Sequence, residues 1–269
     1  MKSNNLFLLL ESALAEKELH QKLQKVKDIY KLYNINALSF DKLHKIEKFD
    51  EIGRPNKPEL VSPKLLKPRK FHTQEGIATF IHAIAHIEFN AINLACDAAY
   101  RFQDMPEEYI KDWLQVAIEE VKHFELLNNY LKELGYCYGD FAAHNQLWSL
   151  ACETRDDVLI RMGIVPRVME ARGLDVTPAI IKKFEQIKNQ RVVEILTIIL
   201  EEEIGHVQIG NRWYHYLCKQ RNKEPIDTFK ELIKKYLKTS YLKAPFSYEY
   251  RKQAGFSDQE IKFLEHLAS

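Results

Sequence analysis

Two long stretches of this chain repeat apolar side chains at alternating spacings of three and four, and each repeat has an acid where the core should be. Between Gln74 and Phe102 the stripe is Ile77, Ile81, Ile84, Ala91, Ala95 and Ala98, with Glu88 at its centre. From Ile110 to Leu134 it is Ile110, Trp113, Ala117, Phe124, Leu127, Leu131 and Leu134, with Glu120 in the gap. The spacing predicts two long amphipathic helices. Pro106 stands near the start of the second, where its missing N–H costs least, and Gly135 ends it. The connection between them is short, so they are expected to be antiparallel neighbours.

The rest of the chain also reads as helix. Residues 4 to about 33 carry a charged helical pattern. Pro55, Pro58, Pro63 and Pro68 then arrive at short intervals, so the segment from Leu38 to Thr73 must be extended or turning and should wrap along the body. After a loop at Gly135–Asp140, a short helix is expected from His144 to Glu153, and a third main helix from Arg155 to Arg172, kinked at Pro166. A short helix should restart near Asp175–Pro178 and run to Lys188, followed by a fourth main helix over Arg191–Lys219. Two more are expected at Asp227–Leu237 and Ser257–Leu267. Only nine Gly and nine Pro accompany this pattern, so the expected class is all-α, with no competing β signal. We divide it into an N-terminal helix and wrapping arm (1–73), a four-helix bundle (74–221) and a C-terminal helical extension (222–269), together one compact domain.

The acids narrow the chemistry. An ionised carboxylate buried without a partner costs many kcal/mol, so it must be neutralised, paired or set beside a cation. The stripes around Glu88, Glu120 and Glu203 contain no lysine. Glu120-x-x-His123 recurs as Glu203-x-x-His206, and residues three apart on a helix share a face, so both side chains can reach one ion. With 10 His and 26 Glu in the sequence, about one such pair is expected by chance, so two pairs inside apolar stripes carry information. Glu88 and Glu120 stand roughly 22 and 20 Å from the turn between their helices, which places them at one height. Glu170, just past the Pro166 kink, is the candidate from the third helix, though its register with Glu203 is less regular. One Glu from each of two helices plus Glu-x-x-His from each of two others is the ligand set of di-iron or di-manganese carboxylate bundles.

Several other polar residues have competing structural readings. His82, His86, Asn90, Asn93, Asp97 and Arg101 form a stripe away from Glu88, read as packing under the N-terminal arm. Arg161, Arg167 and Arg172 are expected to pair with Asp156, Asp157 or Asp175, and His144 and Trp148 are read as ordinary packing, with a cap on the bundle end as the alternative. The cysteines Cys96, Cys137, Cys152 and Cys218 lack CxxC spacing and read as free thiols. Lys2, the apolar run Leu6–Leu10 and Ala13-Leu14-Ala15 imitate a signal peptide, but Glu11 interrupts the run, so an amphipathic helix and a cytoplasmic protein are expected. Thirty-nine basic against 38 acidic residues leave no global charge excess that would point to a nucleic-acid partner, without ruling out a local basic patch, and no window is apolar enough to span a membrane.

The stretches HAIAHIEFNAINLACDAAYRF (82–102), EEVKHFELLNNYLKELGYCYGDFAAHNQLW (119–148), VPRVMEARGLDVTP (165–178) and EEIGHVQIGNRW (202–213) resemble the bacterial ferritin-like family catalogued as domain-of-unknown-function family 455. The similarity extends from GRPNKPELV at 53–61 to AGF at 254–256. The resemblance implies a ferritin-like four-helix bundle with metal ligands Glu88, Glu120, His123, Glu170, Glu203 and His206. It also implies two Fe ions, or Mn or a mixed pair, acting with O2 or peroxide on a small-molecule substrate. The electron donor is unassigned, and a homodimer is compatible with the reading. A metal-handling protein without turnover and, by fold analogy, a tRNA-modifying monooxygenase are the alternatives.

Overall fold

A computed structural model describes residues 4–66, 71–237 and 243–268; Lys2 and Pro68 lie outside the described residues. Among the described residues the chain is helical, with isolated bridges at Asn5–Ser39 and Leu60–Ala143 and no strand. It divides into two compact units, Met1–Cys152 and Glu153–Ser269.

The first unit is built on the two predicted long helices. Helix α3 (Gln74–Arg101) starts at Thr73, whose hydroxyl accepts from the Gly76 N–H, and carries Glu75 in its first turn and Arg101 in its last, as the helix dipole favours. Helix α4 (Glu107–Glu133) opens after Pro106 with Glu107 and Glu108. It closes at Gly135, at φ +79°, where the Tyr136 N–H reaches the Leu131 carbonyl at 2.9 Å and the Gly135 N–H that of Lys132 at 2.9 Å. That pair of bonds needs a left-handed residue, which glycine adopts without strain. Helices α3 and α4 pack along each other, antiparallel because only residues 102–106 join them.

The charged pattern expected to make one helix over residues 4–33 makes two, α1 (Leu6–Ala15) and α2 (Leu19–Asn34). The break is held by side chains: Glu16 accepts from the N–H groups of Lys17 and Glu18, while the Lys22 ammonium donates to the Ala13 and Leu14 carbonyls at the end of α1. The Gly53 N–H adds a third bond, to Leu14, and a Cβ there would lie 2.2 Å from the Ala15 oxygen. Helix α1 lays Leu6, Phe7, Leu10 and Leu14 against α3, and α2 packs on α4. Among its described residues the proline-rich segment is non-helical apart from a 3-10 turn at Pro63–Leu65, with the Glu47 N–H on the Tyr100 hydroxyl and the Asp50 carbonyl accepting from Trp148 of α5 (Gln146–Glu153).

In the second unit α6 (Val158–Ile164) runs into a π-helical turn, Val165–Glu170, and on into α7 (Ala171–Gln186). The disturbance expected at Pro166 is this wider turn, which accommodates a residue that cannot donate a backbone hydrogen bond. The expected break near Asp175–Pro178 does not occur: α7 continues through Pro178. Helix α8 (Gln190–Gln220), capped by Asn189, packs on α6, the π turn and α7. Gly210 admits Pro166, because a Cβ there would lie 2.3 Å from the proline's own. Helices α9 (Pro225–Tyr236), α10 (Tyr248–Gln253) and α11 (Asp258–Ala268) complete the unit. Among the described residues no helix is long and apolar enough to cross a membrane.

Candidate metal site

In the first unit the expected register is met. Glu88 projects from the middle of α3, and Glu120 and His123 from one face of α4. Each offers a ligand atom within 4.8 Å of the others. The His123 Nδ1 lies 3.4 Å from a Glu120 carboxylate oxygen and 3.9 Å from one of Glu88. These residues are 5, 1 and 0 % exposed, and their chain neighbours Phe89, Val121 and Phe124 are buried as well. Two carboxylates and an imidazole on one buried point form a cluster that could hold a metal ion: oxygen and imidazole donors suit divalent iron, manganese or zinc. Burial keeps bulk water from competing for those donors.

In the second unit Glu203 and His206 form the matching pair on α8, both buried, with 3.2 Å between the His206 Nδ1 and a Glu203 oxygen. Glu170 ends the π turn and is half-buried.

On the other side of α3 from Glu88, His82 and His86 do not lie under the N-terminal arm as expected but are held by the 136–145 loop, while Asn93 meets Lys22 of α2. The His86 Nε2–H donates to the His144 carbonyl at 3.2 Å, leaving Nδ1 to accept the Tyr138 hydroxyl at 2.8 Å. His82 accepts from the Gly139 N–H through Nε2 at 2.9 Å. Burial pushes both imidazoles down to about 4, so they are neutral posts tying the 136–145 loop to α3. Asp97 and Arg101 form a buried ion pair one turn apart. The four cysteines are free.

The sequence reading missed the buried charges Lys22, Arg251 and Glu260 and gave Arg167 the wrong partner. Lys22 is 1 % exposed, bonded to Ala13, Leu14 and, at 2.8 Å, to the Asn93 Oδ1; burial pushes its ammonium down to about 7. In the second unit Arg167 does not pair with a nearby aspartate, as expected, but with Glu260. It lies between the rings of Tyr214 and Phe229, its guanidinium carbon 4.1 Å from each centroid. Asp175 is claimed by Arg251 at 2.7 Å, and Arg172 approaches it at 3.6 Å. Asp157 binds Arg221, and Arg161 donates to Thr154. One signal was in the sequence: Ser257-x-x-Glu260 is a capping box, and Glu260 accepts from the Ser257 N–H at 2.8 Å.

Comparison with known proteins extends over nearly the whole chain. A protein of Haemophilus influenzae (strain ATCC 51907 / DSM 11121 / KW20 / Rd), described as "Uncharacterized protein", is 46 % identical over 269 residues, covering 95 % of this chain and 92 % of its own. No solved structure matches the chain. The family model described as "Protein of unknown function (DUF455)" matches residues 15–262, and the chain belongs to that family.

Proposed function

We propose that the protein is a ferritin-like dinuclear metal carboxylate protein, an oxidoreductase that uses O2 or peroxide on a small molecule. The ligands in this reading are Glu88, Glu120, His123, Glu170, Glu203 and His206, holding two Fe ions, or Mn or a mixed pair. The observation that carries it is the convergence of Glu88, Glu120 and His123 at one buried point. The second unit supports it with the same donor types, a buried Glu203-x-x-His206 pair and Glu170 on a π turn, a geometry that recurs at functional sites.

When bound, the metal pair supplies redox change and open coordination positions. The chain's own part is to hold the donors in place before the ions arrive. Glu120 and His123 are fixed three residues apart on α4, and the facing carboxylate of Glu88 is set by the packing of α3 on α4. The burial of all three side chains keeps water out, which strengthens every electrostatic contact in the site. The carboxylates and imidazole must be deprotonated to bind, so loading releases protons and weakens in acid.

The test is oxygen uptake by protein loaded anaerobically with ferrous ion. The reading expects rapid uptake that is lost in Glu120→Ala and stimulated by a small-molecule substrate. Uptake that continues in step with iron added in large excess, with mineral growth, would instead identify a metal-storing protein.

A further inference from the structure

A second site lies on another face of α3. Asn90 stands two residues beyond Glu88, about 200° around the helix from it, and lines a pocket of about 300 Å³ within the first unit. The Asn90 side chain is 1 % exposed. Its amide nitrogen donates to the His86 carbonyl at 2.7 Å, which fixes the amide's orientation, since the opposite one would set two oxygens face to face. The Oδ1 is left buried with no hydrogen-bond partner. A buried acceptor in that state costs about 1–3 kcal/mol, which a ligand's donor would recover.

The body of the pocket is apolar and incompletely covered: Leu65, Ile87, Phe141 and Leu147 line it, with Ile87 50 % and Leu65 72 % exposed. Its ionisable groups outside the imidazoles are the carboxylates of Glu75 and Asp140, and among the described residues no lysine or arginine lines it. These features are ordered along α3. The Gly139 N–H bonds His82, so Asp140 stands near the height of His82, roughly 12 Å from Asn90; Glu75 lies farther out, roughly 22 Å away. The pocket lining therefore runs from one neutral acceptor, through an apolar middle, to the exposed carboxylates of Asp140 and Glu75.

We propose that this pocket binds an elongated organic cation: a neutral donor, hydroxyl or amide N–H, on Asn90 Oδ1, an apolar chain along Ile87, Phe141 and Leu147, and an ammonium group in the field of Asp140 and Glu75. The order of the groups follows from desolvation. An ammonium buried against one neutral oxygen is costly, whereas beside the exposed carboxylates of Asp140 and Glu75 it stays partly hydrated. The site is independent of the metal reading, because it shares none of its residues.

The test is calorimetric titration of the full chain with three probes of one eight-carbon length: 8-amino-1-octanol, octylamine and 1-octanol. The amino alcohol is expected to bind about tenfold or more tighter than either of the others, and to weaken as salt is raised. Asn90→Leu should bring the amino alcohol down to the affinity of octylamine while leaving octylamine unchanged. Thermal melting of Asn90→Leu should show a stability equal to or above that of the unaltered protein, because an unsatisfied buried acceptor has gone. If Asn90→Leu does not fold, the probe ranking and salt dependence of the unaltered protein decide. Equal binding of 1-octanol, absence of salt dependence, unchanged binding to a folded Asn90→Leu, or no binding of any probe would each overturn the proposal.

Discussion

Replacing Glu260 by leucine removes the partner of a guanidinium that is 0 % exposed. Taking one member from a buried ion pair costs about 3–5 kcal/mol, because the remaining charge has lost its compensation without regaining water. The same carboxylate accepts from the Ser257 N–H and hydroxyl at 2.8 Å each, so the cap of α11 is lost too, for roughly a further 1 kcal/mol. The rings of Tyr214 and Phe229 remain against Arg167 and hold the cost toward the lower end. Urea unfolding of Glu260→Leu should therefore show a loss of about 4 kcal/mol. The double variant Arg167→Met/Glu260→Leu should be more stable than Glu260→Leu alone, since no orphaned charge is left. The acid limb carries the same signature. Burial raises the Glu260 carboxyl, but Arg167 and the Ser257 bonds outweigh it, so the group lies below its ordinary value. Its stability is thus present above the unfolded value of about 4.3 and is lost as pH falls through the lower folded value. A loss under about 1 kcal/mol in Glu260→Leu, or additive costs in the double variant, would refute the view that this pair clamps the π turn to the C-terminal helices.

Three further perturbations follow from other parts of the molecule. Folded Lys22 gives up its proton near 7 while the unfolded chain keeps it to about 10.5, so stability should rise with pH between those values. From pH 7 to 9 the rise is about 2.5 kcal/mol, and it should be missing in Lys22→Met; equal pH slopes for the two proteins in denaturant melts would remove the buried-lysine account. Gly210→Ala drives a methyl into Pro166 and should cost about 1–3 kcal/mol by thermal melting, where a neutral change would mean that the π turn yields freely. In His123→Ala, an imidazole shared by Glu88 and Glu120 is removed, and the protein should lose most of its bound metal while keeping its helical circular dichroism; full retention of metal would dismiss His123 as a ligand.

The long helices and the meeting of Glu88 with Glu120 were legible because both depend on local rules, the 3.6-residue period and a short connection that sets two helices in register. What escaped was set by partners distant in sequence. The break at Glu16–Glu18 has no proline or glycine to announce it; it depends on Lys22 and Gly53 reaching the end of α1. Pro178 looked like a restart, yet α7 continues through it and packs along α8, so tertiary contacts override local preference. Arg167 was assigned to neighbouring aspartates, but its partner lies 93 residues away, and Arg251 had already engaged Asp175. The Asn90 pocket is opaque to periodicity, because an unsatisfied amide oxygen shows only once the whole surrounding is built.

The central claim is that buried carboxylates and imidazoles of this chain hold a pair of divalent ions. Elemental analysis of protein reconstituted anaerobically with ferrous or manganous ion, then freed of loose metal, tests it most directly. The account predicts close to two ions per chain, with Glu120→Ala retaining well under half of that. Folded protein that emerges with no bound metal under either ion would contradict it.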